Sequence, residues 1–359
     1  MPGDTMAPTA CTRRGGTPTR RGALVISLDF ELHWGVRDKH SIRDYRENLL
    51  GVRRAVPAML GVFAEFEVHA TWATVGFLLC ESKRELLGIV PARLPAYERR
   101  DFSPYEALDE IGDNELEDPY HFAPSLVRRI AETPHQEVGT HTLSHYYCLE
   151  AGQGPAEFGA DLAAAMSLMR AKLGRVPKSI VFPRNQVTDT HLAVCRDAGL
   201  LAYRGNLDRW LYRARRDADE STLRRGLRLA DAYLPLSGHR TSPLPADRCA
   251  APVNVCASYY LRPYSRARRH LEALRLRRLA NDLRHAAAEA RLCHLWWHPH
   301  DFGRDLERNL RVLREILAAF ARLRDRYGME SLTMAEAARR ALAVAEPPER
   351  SAAMAGGPW

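Results

Sequence analysis

Apolar runs alternate along the chain with segments in which apolar residues recur every three or four positions. The first run, ALVISLDF at 23–30, is nearly continuous, as in strands that are buried on both faces of a sheet. A segment with helical spacing follows at 44–66. The same alternation predicts further strands at 68–77, 135–141, 178–184, 200–205, 293–298 and 329–333, and further helices at 124–132, 155–173, 189–198, 264–291, 304–326 and 334–345.

Strands that alternate with helices predict an α/β protein with a parallel sheet. About seven strand candidates favour a closed or incomplete β/α barrel over an open doubly wound sheet. The glycine-rich turn of a dinucleotide-binding fold is absent after the first strand, which argues against that fold. We expect the barrel over 23–345, with insertions near 81–123 and 204–261, and disordered segments at 1–22 and 346–359.

The composition narrows the possible partners. The chain of 359 residues has 46% hydrophobic and 27% charged residues, as soluble globular proteins do. Its net charge is +8, and nearly all of its basic residues are arginine. This bias toward arginine over lysine is more typical of the codon composition of a GC-rich genome than of selection for phosphate contacts. No basic stripe is interleaved with aromatic residues, so we expect no nucleic-acid partner.

The cysteines and the lack of long apolar runs bear on the cellular location of the protein. The seven cysteines are scattered and form no CxxC pair, which is typical of reduced thiols. No secretory signal is recognisable, and no apolar run reaches the roughly 18 residues of a membrane span. We therefore predict a cytoplasmic protein without an integral membrane segment.

Polar clusters stand at the carboxyl ends of four predicted strands, where a β/α barrel gathers its active site. They are Asp29 with Glu31, His141 with His145, Arg184 with Asn185, and His298 with His300.

The two histidines of HTLSH are spaced as metal ligands. His141 and His145, four residues apart, would share one face of a helical turn and point at one ion. Zinc in hydrolytic sites takes two histidines and a carboxylate and keeps a position open for water. Asp29 or Glu31 would supply the carboxylate, because the backbone turns at the strand end and both can reach the mouth. The pattern predicts one divalent ion, with Zn²⁺ favoured; the alternative is an exposed helix start that carries two histidines by chance.

Together these motifs resemble the polysaccharide deacetylase family, carbohydrate esterase family 4. Its members pair an acidic motif on the first strand with an H-[ST]-x-x-H motif, which HTLSH matches in full, and FPRNQ and LWWHPH follow in the corresponding order over roughly 23–300. The resemblance implies an incomplete (β/α)7-type barrel. It assigns Glu31, His141 and His145 to the metal, Asp29 as general base, His298 as general acid and Arg184 as the partner that holds Asp29 ionised.

Two departures from the family pattern affect these roles. Phe30 separates Asp29 from Glu31 where the family has two adjacent aspartates, so the base and the ligand could be exchanged. Arg184 is followed by Asn and Gln instead of prolines and an aromatic, which, with YRGN at 203–206, indicates a differently shaped sugar pocket. The candidate substrate contacts are Asn185, Gln186, Arg204, Asn206, Trp297 and His300.

The predicted function is metal-dependent removal of an N-acetyl group from a sugar, as an intermediate step of surface-polysaccharide or glycoconjugate biosynthesis. One alternative is a C–N hydrolase of small cyclic amides or ureides, and another is an inactive carbohydrate-binding barrel. The arginine-rich helix 264–291 is interpreted as a solvated outer face, with peripheral contact to anionic lipid headgroups as a further hypothesis.

Overall fold

A computed structural model describes residues 21–244 and 250–345. The disordered segments predicted at 1–22 and 346–359 lie outside this part of the chain, except for residues 21 and 22. The division into a barrel with two insertions and flanking disordered segments stays a prediction.

The described strands form one curved, mostly parallel sheet. They are β1 Ala23–Phe30, β2 Ala70–Thr74, β3 Gln136–Thr140, β4 Ser179–Ile180, β5 Ala202–Tyr203, β6 Ser242–Pro243, β7 Val253–Asn254, β8 Tyr259–Tyr260, β9 Arg291–Trp297 and β10 Glu330–Leu332. The strand order is β6-β9-β1-β2-β3-β4-β5-β7, with β10 beside the start of β1 and β8 beside β9. Within the described residues β6 pairs antiparallel with β9 and the other pairs are parallel. The predicted α/β class and the incomplete barrel of parallel strands are confirmed.

Helices connect most of these strands. In chain order they are α1 His33–Val36, α2 Ile42–Glu65, α3 Lys83–Gly88, α4 Pro124–Glu132, α5 Pro155–Leu173, α6 Asp189–Asp197, α7 Thr222–Asp231, α8 Glu272–Ala288, α9 Leu306–Tyr327 and α10 Met334–Ala345. Local sequence explains several ends. Ser41 caps α2 by accepting the N–H of Asp44, Pro155 opens α5, and Gly174 ends α5 with a φ of 67°.

The alternating positions of β1 connect the core to the site. Leu24, Ile26, Leu28 and Phe30 belong to the apolar core that includes residues of the surrounding helices. The other set, at 23, 25, 27, 29 and 31, changes from Ala and Val to Ser, Asp and Glu toward the carboxyl end. All eight residues of β1 are buried, so this second set carries polar groups into the barrel at its mouth.

The predicted helix 264–291 is shorter and less solvated than its composition suggested. The α-helix spans Glu272–Ala288 and follows a 3₁₀ turn at Arg266–Leu271. Arg278 is 6% exposed, donates to the carbonyl of Gly238 at 2.7 Å and lies within 3.8 Å of the buried Asp231 and Asp282. Arg275 is also buried, beside Glu272. The reason is that residues 231–240 pack on this helix, so only part of its positive charge faces solvent. Among the described residues no helix is long and apolar enough to cross a membrane.

Candidate active site

The HTLSH segment forms a tight loop after β3 instead of the predicted helical turn. Thr142 and His145 both adopt left-handed backbone conformations, with φ of 67° and 63°. The loop is fixed from inside and outside: the Thr142 hydroxyl accepts the N–H of Tyr146 at 2.8 Å, and Asp161 on α5 accepts the N–H of Leu143 at 2.7 Å and the hydroxyl of Ser144. The two histidines therefore meet through loop geometry rather than helical periodicity.

Both imidazoles converge on Glu31. The Glu31 Oε2 atom lies 3.2 Å from Nε2 of His141 and 3.1 Å from Nε2 of His145, and all three side chains are buried. Nδ1–H of His141 donates to the carbonyl of Val181 at 2.7 Å, and in this tautomer Nε2 presents a lone pair to the carboxylate. Two acceptors at this distance require a proton or a cation between them.

These three residues fit a divalent metal ion. Their ligand atoms lie within 4.8 Å of one another, and two imidazole nitrogens with one carboxylate oxygen form a donor set of hydrolytic zinc sites. Burial would raise the pKa of Glu31, but His298, His145 and His141 lower it well below its usual range. Burial lowers the pKa of His145 to about 4, against the opposing effect of Glu31. A carboxylate and a neutral imidazole are the forms that bind metal.

Arg204, and not Arg184, is the partner of Asp29. Its Nη1 and Nη2 donate to the two carboxylate oxygens at 2.7 Å each, and both side chains are nearly inaccessible. Burial alone would raise the pKa of Asp29, but Arg204, with His141 and His298, lowers it below the usual value. The predicted pairing of Arg184 with Asp29 is therefore wrong, and Arg204 holds the carboxylate ionised.

Arg184 is directed elsewhere because its backbone is left-handed, with a φ of 56°. Its guanidinium pairs with Asp38 and lies 4.3 Å from the ring centre of Tyr147 and 4.8 Å from that of Phe102. It also lies 3.8 Å from Glu150. These contacts make Arg184 part of the wall beside the metal-ligand loop.

The imidazole of His298 lies beside the carboxylates of Asp29 and Glu31. Its Nε2 lies 3.6 Å from Oε1 of Glu31 and 3.9 Å from Oδ2 of Asp29, and its side chain is 22% exposed. Nδ1–H donates to Oδ2 of Asp301 at 3.0 Å. Burial lowers the pKa of His298, but Glu31, Asp301 and Asp29 outweigh it and raise the pKa to about 9. The ring is therefore a charged proton donor at neutral pH.

Asp301 is a functional candidate that the sequence reasoning missed. Its Oδ2 accepts both the backbone N–H and the ring N–H of His298, and the hydroxyl of Tyr260 at 2.8 Å. His298, His300 and Asp301 are near enough to form a second metal-ligand group. Because three donors already use Oδ2, we interpret Asp301 as the residue that orients His298. An acid three residues after a strand-end histidine was the available signal.

The structure contradicts three predicted substrate contacts, Trp297, Gln186 and Arg204, all of which are buried. Trp297 is fully buried and stacks on Phe302, because consecutive strand residues face opposite sides of the sheet. Trp296 is the tryptophan on the site side, with the guanidinium of Arg204 4.2 Å from its ring centre. Gln186 is also fully buried, accepting the N–H of Leu149 and donating to Glu150.

The remaining candidates lie around the site in different roles. His300 is buried and stacks on His298 with ring centres 4.8 Å apart; burial and His298 lower its pKa to about 4, so it is neutral. Asn185 accepts from Arg204, and Asn206 is half-buried and donates to the carbonyl of Asn185 at 3.1 Å. Arg204 is enclosed beneath the carboxylate of Asp29, so it holds the base instead of contacting substrate.

Comparisons with known proteins bear on the family and the fold. Residues 50–203 match the family model described as polysaccharide deacetylase. The fold is similar to that of a "putative polysaccharide deacetylase from Mycobacterium smegmatis", with 15% identity, 96% of each chain covered and a TM-score of 0.58. It is also similar to Puue allantoinase, with 11% identity, 96% of this chain and 100% of that chain covered, and a TM-score of 0.50. No curated protein matches the sequence.

Proposed function

We propose that this chain is a member of the polysaccharide deacetylase family, whose model matches residues 50–203, and that it is a metal-dependent sugar N-deacetylase. The observation that carries the proposal is the meeting of Glu31, His141 and His145 at one point, with Asp29 and His298 beside it. The substrate would be an intermediate of surface-polysaccharide or glycoconjugate biosynthesis. Its identity and the cytoplasmic location stay predictions.

Glu31, His141 and His145 would hold one divalent ion, with Zn²⁺ favoured by the nitrogen and oxygen donors. Such an ion supplies Lewis acidity, which polarises an amide carbonyl and acidifies water. Glu31 suits the ligand role because one of its oxygens faces both imidazoles at once. The carbonyl of Val181 would hold His141 in the tautomer that leaves Nε2 free.

Asp29 would act as the general base. Arg204 keeps its carboxylate ionised and fixes both oxygens, so it can accept a proton as water attacks the acetyl carbonyl. His298 would act as the general acid, because it is charged at neutral pH and open to solvent. A C–O bond forms to the acetyl carbon and its C–N bond breaks. The proton from His298 goes to the departing nitrogen, and the products are acetate and the amino sugar.

The proposal is tested by measuring acetate release from N-acetylated sugars, nucleotide sugars and lipid-linked sugars, together with the metal content of the purified protein. We expect about one bound divalent ion per chain and acetate release from at least one class of sugar. Cyclic amides and ureides in the same panel test the alternative C–N hydrolase. Turnover of a ureide without acetate release from any sugar would contradict the deacetylase proposal, and turnover of neither would favour the carbohydrate-binding alternative.

A further inference from the structure

Every nitrogen of the Arg204 guanidinium has a fixed partner. Nη1 and Nη2 hold the two oxygens of Asp29, Nη1 also donates to the hydroxyl of Ser27 at 3.0 Å, and Nε donates to the side-chain oxygen of Asn185 at 2.9 Å. The side chain is 1% exposed, so water does not compete for these bonds. Asn185 and Ser27 therefore determine how the guanidinium is rotated beneath Asp29.

The Ser27 hydroxyl is in turn hydrogen-bonded to His294. Its hydroxyl lies 2.8 Å from Nε2 of His294, whose Nδ1–H donates to the carbonyl of Val255 at 3.0 Å. His294 is fully buried and neutral, because burial and the nearby Arg204 lower its pKa to about 3. Its Nε2 therefore accepts the Ser27 proton, and the serine oxygen remains an acceptor for Arg204.

Asn185 holds the guanidinium from the other side, at a strained position. Arg184 and Asn185 are consecutive left-handed residues, with φ of 56° and 52°. Asparagine tolerates this conformation better than most residues. The turn is kept by the N–H of Asn185 bonding to the carbonyl of Phe182 at 2.8 Å, and by Asn206 donating to the carbonyl of Asn185. Strain of this kind occurs preferentially at functional sites.

We propose that Asn185 is a positioning residue of the deacetylation reaction. By accepting Nε–H of Arg204, it sets the plane of the guanidinium and thereby the direction of both Asp29 oxygens toward the attacking water. The inference rests on the proposed function, and it divides between Asn185 and Arg204 a task that the sequence assigned to Arg184 alone. In this fold Arg184 pairs with Asp38, so the turn at Arg184 and Asn185 acts on Asp29 through the side-chain amide of Asn185.

Four variants test this role: Asn185→Gly, Asn185→Asp, Arg204→Lys and the double variant Asn185→Gly/Arg204→Lys. Glycine keeps the left-handed backbone and removes only the acceptor, whereas aspartate keeps the acceptor. We expect Asn185→Gly to lower kcat by about 10- to 100-fold with KM within about twofold of the wild type. Asn185→Asp should recover most of this loss, and all variants should keep the metal content of the wild type.

The double variant shows whether Asn185 acts through Arg204. Lysine has no counterpart of Nε–H, so Asn185→Gly should cost little more in the Arg204→Lys background. Losses that multiply would overturn the inference, as would wild-type kcat in Asn185→Gly.

If the wild-type enzyme turns over no substrate of the panel, the proposed function fails separately. The same four proteins then decide the inference by thermal unfolding. Changes in melting temperature that are not additive in the double variant would support an interaction between Asn185 and Arg204. Additive changes would overturn the inference.

Discussion

Asp29 near the end of β1 and Glu31 just after it are two residues apart, yet their partners are chemically different. Glu31 faces two imidazole nitrogens, which is the surrounding of a metal ligand, and Asp29 faces a guanidinium, which is the surrounding of an ionised base. We therefore expect Glu31→Gln to lose most of the bound metal. Asp29→Asn should keep the metal and lower kcat by about 10²- to 10⁴-fold.

Metal analysis and acetate release on the two variants check this assignment. Each change removes one charge from a buried carboxylate, so the two proteins serve as matched controls for each other. Metal loss in Asp29→Asn with retention in Glu31→Gln would mean that the two roles are exchanged.

Asp301 sets the range of pH in which His298 can donate a proton. The imidazolium is the donor and exists below its pKa, so activity should fall as the pH rises through that value, about 9. Asp301 is one of the charges that raise the pKa of His298, beside Glu31. Asp301→Asn should therefore move the alkaline limb of kcat/KM to lower pH, by about one pH unit.

The measurement is kcat/KM between about pH 6 and pH 10. Asp208→Asn is the control, because its carboxylate is 89% exposed beside Arg213 and is not among the charges that raise the pKa of His298. An unchanged alkaline limb in Asp301→Asn would show that another group limits the reaction at high pH.

Single residues also show where sequence reasoning succeeds and where it stops. Alternate residues of a strand face the same side of the sheet, which places His294, Trp296 and His298 together. This alternation alone could have excluded Trp297 from the site. The choice between Arg184 and Arg204 was not. It depends on two consecutive left-handed residues, which no spacing rule indicates, and on a side chain that crosses from β5 to β1.

Regular helices were predicted better than the loops that carry the functional side chains. The helices expected at 155–173 and 334–345 have those bounds, because apolar spacing and, for α5, the terminal Pro155 and Gly174 act locally. The HTLSH loop was expected as a helical turn, since spacing alone fits one. Its actual form depends on Asp161, which is distant in sequence and accepts from Leu143 and Ser144.

Helix α10 is tied to the bottom of the barrel by Glu336. Its carboxylate accepts the N–H of Thr333 at 2.8 Å and lies 2.8 Å from Nδ1 of His69, before β2. Burial raises the pKa of Glu336, but these hydrogen bonds outweigh it and lower the pKa from 4.5 to about 2. A lowered pKa stabilises the fold above the unfolded-state value, and this contribution is lost as the pH falls from about 4.5 toward 2.

We expect Glu336→Gln to lower the free energy of unfolding by about 1 kcal/mol at pH 7, a value reduced for solvent screening because the side chain is 35% exposed. The difference should shrink below about pH 4.5. Urea unfolding of the wild type and Glu336→Gln at pH 7 and below about pH 4.5 measures this difference. The exposed Glu307 on α9 offers a control, Glu307→Gln, with a change within about 0.5 kcal/mol. Equal destabilisation by Glu336→Gln at both pH values would contradict the ionic origin.

The alternation of strands and helices along the chain was enough to predict the barrel, because each βα unit has its own periodic signal. The packing of residues 231–240 on α8 was not predictable in the same way. It depends on charged groups that are buried in pairs, among them Arg278 with Asp231 and Asp282, and charged residues are expected at the surface from sequence alone. Burial of such pairs is decided by tertiary structure.

The proposed metal site also joins parts of the molecule that are separate in the sheet. Glu31 follows β1 and the two histidines follow β3, so a bound ion would connect the ends of these two strands across β2, which lies between them. An ion that binds only the folded chain stabilises it by mass action, by about 2.7 kcal/mol when its free concentration is 100 times Kd.

We therefore expect chelation to lower the melting temperature and Zn²⁺ to restore it in proportion to the logarithm of its concentration. His145→Ala should melt at a temperature that Zn²⁺ no longer changes, because one of the three ligands is gone. His270→Ala is the matched control: His270 is exposed in the 3₁₀ turn before α8, and its variant should respond to Zn²⁺ as the wild type does. An equal response in both variants would place the stabilising ion outside the site at Glu31, since removal of either histidine would then be without effect on its binding.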